Sequence, residues 1–220
     1  MDTLNFTILN SVFEIIGTIA FAFSGAMLGI RKEMDIFGIM VLGVVTALGG
    51  GLTRDIILGI TPPAMFQNSN FALLAVLSSL ILFVIFYFKV DFLNSLWIRQ
   101  VERLMIFFDA LGLGAFTVTG INTALTGGFE KKFLLIFVGM VTGIGGGIIR
   151  DVLSREIPFV FREQIYAIAS LSGAVVYLIT SVYLPIEINM ILCFITVVLV
   201  RLYAIKKNLH LPRIKNSRNR

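Results

Sequence analysis

Long apolar runs alternate with short polar breaks along the whole chain. Seven such runs are legible, at about 9–30, 36–60, 70–90, 104–124, 133–154, 163–184 and 186–205. Each has about the 20 residues that a helix needs to cross a bilayer. The pattern predicts an all-α polytopic membrane protein with seven transmembrane helices in a single membrane domain. Composition agrees: 57% of the 220 residues are hydrophobic and 14% charged, and the mean hydropathy is +0.94. A soluble domain of this size has too little polar surface to cover so much apolar area. The first run carries Glu14, lacks a basic leader and is too long for a signal peptide, so it is read as a retained span.

The runs fall into two related sets. Glu14-x-x-Gly17-x-x-Ala20-Phe21-x-x-Ser24-Gly25 matches Asp109-x-x-Gly112-x-x-Ala115-Phe116-x-x-Thr119-Gly120 at an offset of 95. The next spans match at an offset of 96: Phe37 with Phe133, Gly43 with Gly139, Thr46 with Thr142, Pro62 with Pro158. Repeat 1 covers about 9–90 and repeat 2 about 104–184. Three spans per repeat is an odd number, so the second copy enters the membrane from the opposite side. The layout predicted is two inverted three-helix repeats, with a seventh helix at 186–205 bracing them and a basic tail at 206–220. Most of the isolated glycines, Gly17, Gly25, Gly43, Gly112, Gly114, Gly120 and Gly139, read as notches for helix packing.

Basic residues set the expected orientation. Arg31, Lys32, Lys89, Arg99, Arg103, Arg155, Arg162 and the seven of the C-terminal stretch (Arg201, Lys206, Lys207, Arg213, Lys215, Arg218, Arg220) fall on one side. Only Lys131 and Lys132 fall on the other. The count, fourteen against two, predicts an external N-terminus and a cytoplasmic C-terminus. The tail reads as an anchor on anionic lipid rather than a nucleic-acid arm, and Trp97 as an interfacial anchor.

The candidate chemistry sits in a second doubled motif. Gly49-Gly50-Gly51-Leu52-Thr53-Arg54-Asp55 recurs as Gly145-Gly146-Gly147-Ile148-Ile149-Arg150-Asp151. Three glycines weaken a helix, and paired breaks in the two halves of a chain point to a transport site. The expectation is a helix break in each second span, with unwound carbonyls facing a permeant ion and the hydroxyls of Thr46 and Thr142 nearby. Arg54 should sit about 6 Å outward of the midplane and Arg150 about 6 Å inward. Depth then matches Glu14 with Arg54 or Asp55, and Asp109 with Arg150 or Asp151. Adjacent helical residues point about 100° apart, so Arg54 and Asp55 are expected on different faces. Glu14, Arg54, Asp55, Asp109, Arg150 and Asp151 sum to −2 when ionised, which favours cations.

These motifs, with Phe21-Ala22-Phe23-Ser24-Gly25, Phe116-Thr117-Val118-Thr119-Gly120 and the three-plus-three-plus-one layout, resemble the prokaryotic trimeric intracellular cation (TRIC) channels. That group overlaps a bacterial membrane family labelled as glycine transporters. The resemblance spans about residues 10–205. It implies a homotrimer in the bacterial inner membrane, a pore in each protomer, second and fifth spans kinked at the triglycines, and permeation of monovalent cations, potassium included. Animal members carry a lysine near the break where this chain has Arg54-Asp55, so their voltage and phosphoinositide behaviour is not carried over.

Other functions are disfavoured. One cysteine, Cys193, and one histidine, His210, leave no Cys- or His-based metal site or nucleophilic dyad, so no enzyme, metal or cofactor is expected. The Gly143-x-Gly145-Gly146-Gly147 run lacks the βαβ surroundings of a nucleotide loop. The alternative is a secondary transporter for glycine or another small amino acid, with an arginine and a helix N-terminus on the carboxylate and an acidic residue on the ammonium.

Overall fold

The structure is a computed structural model that describes residues 2–88, 95–162, 165–207 and 209. Lys89, His210, Arg213, Lys215, Arg218 and Arg220 lie outside the described residues, as do the side chains of Trp97, Arg99 and Arg162. Among the described residues the elements are helices: α1 (Asp2–Arg31), α2 (Ile36–Leu58), α3 (Ala64–Gln67), α4 (Asn70–Tyr87), α5 (Ser95–Thr126), α6 (Lys132–Leu153), α7 (Phe159–Arg162), α8 (Ile165–Thr180) and α9 (Ile186–Lys206).

Six of these, α1, α2, α4, α5, α6 and α9, are long and apolar enough to cross a membrane. The expected span at 163–184 is shorter: α8 has 16 residues, about 24 Å against a hydrocarbon core of about 30 Å. Its predicted end fails because 181–184 turn ahead of Pro185, which caps α9; the residue before a proline disfavours helix.

The triglycines do not break their helices. α2 runs through Gly49–Gly51 and α6 through Gly145–Gly147 without interruption. An unwound N–H in apolar surroundings has no water to replace its lost partner, so the glycines serve another need. A Cβ on Gly50 would strike the carbonyl oxygen of Thr142, and a Cβ on Gly146 that of Thr46. The place for a Cβ on Gly145 is 3.2 Å from the Gly50 Cα. α2 and α6 thus cross in backbone contact, in opposite senses, and only glycine permits that approach.

The first spans of the two repeats meet with the same reciprocity. A Cβ on Gly17 would lie 3.1 Å from the Phe116 ring, and one on Gly112 would strike the Phe21 ring. Phe21 and Phe116 themselves touch, with centroids 5.2 Å apart. Each phenylalanine of the doubled motif fills the notch of the other copy, so α1 and α5 also run in opposite senses. Gly25 and Gly120 make room for the hydroxyls of Thr46 and Thr142, at 2.5 and 2.6 Å from the added Cβ. α4 lies on α1 and α2, α8 on α6 and α9, and α9 on α5.

The helix ends match as well. Gly59 and Arg155, 96 apart, both take the left-handed conformation, as do Glu33 and Gly128, 95 apart. The first pair closes with Ile60 N donating to Asp55 O (2.9 Å) and Glu156 N to Asp151 O (2.8 Å), the six-to-one bond of a Schellman end. At one end of the bundle Glu156 binds Arg31 (3.2 Å) and Lys32 (2.5 Å), and Arg31 lies 3.7 Å from Glu102. The C-termini of α1 and α6 and the start of α5 therefore share that end.

The crossing yields a graded expectation. Gly50→Ala and Gly146→Ala should each destabilise the protein by about 1–3 kcal/mol through overpacking. At Gly51 only Arg54 lies within 4 Å of an added Cβ, so Gly51→Ala should be neutral or stabilising by up to about 1 kcal/mol. Thermal unfolding in detergent, followed by the monodisperse fraction, measures all three. Equal effects at Gly50 and Gly51 would contradict the backbone crossing.

Candidate functional site

The two Arg-Asp pairs lie one turn beyond the glycine crossing on their helices. All four residues are buried, and burial of a charge requires pairing. Arg150 is the most heavily engaged. Its Nη1 donates to Asp109 Oδ1 at 2.6 Å and to Ser24 Oγ at 2.5 Å. Its Nε and Nη2 lie 2.8 Å from Asp151 Oδ1. Its guanidinium carbon is 5.0 Å from the centroid of the Phe159 ring, a cation–π distance. One side chain thus joins α6 to α5, to α1 and to the loop helix α7.

Arg54 is simpler. Its Nε and Nη2 each lie 2.8 Å from Asp55 Oδ1, and among the described residues that is its ion pair. Glu14 is half-buried and lies within electrostatic range of Arg54 and Asp55, and among the described residues it makes no contact ion pair. The depth match of Asp109 with Arg150 holds in this conformation; that of Glu14 with Arg54 is not made. Both arginines also fold back onto the adjacent aspartate, against the expectation of separate faces. The 100° rule governs where Cβ atoms point, and a guanidinium on its long stem reaches round it.

Each aspartate has a second task. Asp55 Oδ2 accepts from Ala64 N (2.7 Å) and Asp151 Oδ2 from Phe159 N (2.9 Å). The carboxylates therefore cap the first residues of α3 and α7, just after Pro63 and Pro158, where free N–H groups need acceptors.

Thr46 and Thr142 are fully buried and donate back to Leu42 O (2.5 Å) and Val138 O (2.6 Å) on their own helices. Their oxygens abut Gly25 and Gly120. Gly49 and Gly145 lie in the α2–α6 crossing with Gly50 and Gly146, while Gly51 faces Arg54 and Gly147 faces Tyr166 and Asp109.

Four participants escaped the sequence reading: Ser24, Phe159, Tyr166 and Arg201. Arg201, expected in the basic tail, is 1% exposed within α9. Its guanidinium carbon is 4.9 Å from the Tyr166 ring centroid and 5.9 Å from that of Phe159. Its position inside the last apolar run was the available signal, since an ionisable residue there belongs to a site by default. Arg201 reduces the net charge of the buried set from −2 to −1. Cys193 is fully buried on α9, a packing residue.

A family model described as glycine transporter matches residues 11–87 and, again, 106–181. Among relatives, the inner membrane protein YadS of Escherichia coli is 36% identical over 94% of this chain and 96% of its own. A membrane protein of Deinococcus radiodurans is 38% identical over 79% of this chain and 78% of its own. Among solved structures, a prokaryotic TRIC channel crystallised in 0.5 M KCl superposes with a TM-score of 0.82 at 36% identity, covering 94% of this chain and all (100%) of the other. The TRIC orthologue of Rhodobacter sphaeroides gives 0.80 at 32% identity, covering 91% and 98%. The fold and the doubled site define a polytopic, all-helical membrane protein. The chain belongs to the prokaryotic TRIC channel family, which overlaps the family described as glycine transporter.

The two arginine sites should respond differently to neutralisation. In a double-mutant cycle read from folded yield and thermal stability, Asp109→Asn and Arg150→Gln should couple by about 1.5 kcal/mol or more. Asp109→Asn leaves Arg150 with Asp151 alone, and Arg150→Gln leaves both buried aspartates without a counter-charge, the costlier change at about 3–5 kcal/mol. Glu14→Gln and Arg54→Gln, which make no contact pair in this conformation, should couple more weakly, by less than about 1 kcal/mol. Strong coupling in the second cycle and additivity in the first would reverse the assignment.

Proposed function

We propose that the protein is a passive channel for monovalent cations, potassium among them, with one pore per protomer of a homotrimer. The observation that carries the reading is the match to TRIC cation channels at a TM-score near 0.8 over more than nine-tenths of the chain. The pathway runs along α2 and α6, past Arg54, Asp55 and Glu14 on one side of the glycine crossing and Arg150, Asp151 and Asp109 on the other. Thr46 and Thr142 lie a turn behind. The crossing of Gly49 and Gly50 with Gly145 and Gly146, flanked by Gly51 and Gly147, is the constriction: backbone contact leaves no room for an ion between the two helices there in this conformation. The residual negative charge of the buried set favours cations. The pathway needs no cofactor or metal and performs no catalysis.

The two halves are inverted repeats, a reading supported by the opposed running of α1 against α5 and of α2 against α6, and by the matched helix ends. The protein resides in the inner membrane with its N-terminus outside and its C-terminus in the cytoplasm, on the strength of the basic-residue count. Arg31, Lys32, Glu102 and Glu156 then lie together at the cytoplasmic end. The Gly- and Ala-rich faces supply packing surface for the trimer.

Recording from purified protein in planar bilayers should give discrete unitary potassium currents, and proteoliposomes should show no saturable glycine counter-flow. Counter-flow without unitary currents would replace the channel with a carrier. Native mass spectrometry in nanodiscs should find three chains. A reporter fused to the C-terminus should be active only in the cytoplasm, and activity confined to the periplasm would invert the topology.

A further inference from the structure

The two repeats are alike in sequence and backbone but unlike in how their arginines are held. Arg150 is clasped by three groups, Asp109 and its neighbour Asp151 from its own repeat and Ser24 from the other. Applying the offsets of 95 and 96, the counterparts around Arg54 are Glu14 for Asp109, Thr119 for Ser24 and Asp55 for Asp151. Only the last of these is engaged. Thr119 is fully buried, and among the described residues its Oγ1 has no hydrogen-bond partner. Glu14 is within electrostatic range of Arg54, and among the described residues it makes no contact ion pair. A buried hydroxyl without a partner is costly, and here it stands at the one position where the repeat relation calls for a guanidinium.

We propose that Thr119 is the docking group for Arg54 in a second conformation of the channel, in which Arg54 is held by Thr119 and Glu14 while Arg150 leaves Ser24. The two sites are then alternately occupied. This conformation holds repeat 2 clasped and repeat 1 loose, and the other holds the reverse. The exchange replaces one charge-assisted hydrogen bond to a hydroxyl by an equivalent one, and the contact of Arg54 with Glu14 is offset by the desolvation of that half-buried carboxylate, so the two states differ little in energy. A switch biased by single contacts requires such a balance. Relative movement of α1 against α6 and of α5 against α2 accomplishes it, and both movements pivot on the α2–α6 glycine crossing. The inference rests on the inverted-repeat channel reading, and its test uses a measurement that does not need a current.

Gly51 supplies the reporter. In this conformation Arg54 Nη2 lies 3.7 Å from the position of a Gly51 Cβ, and among the described residues no neighbouring helix comes within 4 Å of it. Gly51→Cys, in a Cys193→Ala background, therefore fits and places a thiol beside the guanidinium. A neighbouring cation raises the thiolate fraction and speeds alkylation. The rate of labelling by a small neutral maleimide in nanodiscs then reports where Arg54 is. Ser24→Ala removes a clasp from this conformation and should shift the equilibrium about tenfold toward the other, slowing labelling severalfold. Adding Thr119→Val removes the competing clasp and should restore the original rate. Thr119→Ser, which keeps the hydroxyl, should leave the Ser24→Ala rate slow. Labelling unchanged by Ser24→Ala, or slowed by it and not restored by Thr119→Val, overturns the exchange. In bilayers Ser24→Ala alone and Thr119→Val alone should shift the open–closed equilibrium in opposite directions, by about tenfold each. Labelling that follows the expected order without any unitary current would keep the exchange and sink the channel reading. Currents together with unresponsive labelling would do the opposite.

Discussion

Two helices touch backbone to backbone at Gly50 and Gly146, and the remaining architecture is arranged around that contact. In lipid there is little hydrophobic gain from bringing helices together, so close van der Waals approach and polar contacts must hold the bundle. Glycine at the crossing brings the axes near enough for the next turn of α6 to place Arg150 against Ser24 of the opposite repeat. The outer joints repeat the device with a different filling. Phe21 and Phe116 occupy each other's glycine notches, and Thr46 and Thr142 press their oxygens onto Gly25 and Gly120. The triglycines and the Gly17–Phe21 and Gly112–Phe116 motifs are thus two halves of mutual contacts between the copies, while Gly25 and Gly120 pack within their own.

The polar cluster follows from the same geometry. Once α1, α5 and α6 are drawn together, the guanidinium of Arg150 cannot reach water and must find its acceptors within the protein. Asp109 and Asp151 neutralise it, Ser24 takes a further donor, and Phe159 covers it. Breaking such a pair is far more damaging than never having made it, so Arg150 stays with its two carboxylates. The looser hold on Arg54 is the notable exception to the repeat relation.

Much of this was legible from the chain itself. The apolar runs located every long helix, because span length is set by bilayer thickness rather than by local propensity. The offset alignment identified the matched residues, and depth along the helix selected Asp109 for Arg150. The failures have specific physical causes. Triple glycine was read as a break on propensity measured in water, whereas the tight apolar environment keeps the helix closed. The Arg-Asp neighbours were separated by Cβ direction, although an arginine stem is long enough to fold back. Arg201 was assigned to the tail by its company of basic residues, while its apolar flanks carried the better information. Ser24 was seen as motif but not as ligand, since a contact between halves 126 residues apart leaves no local trace.

Asp55 and Asp151 each use one oxygen on a guanidinium in the bundle and the other on a backbone N–H at the start of a surface loop helix. A carboxylate is planar and stiff, so these two grips cannot turn independently. Each aspartate is therefore a rigid rocker between the membrane interior and the aqueous rim. A ligand or protein that tilts α3 or α7 is felt by the arginine beneath it, and rotation of an arginine is displayed outside as a shift of the loop above. The loops following α2 and α6 are in this sense the exposed handles of a buried charge.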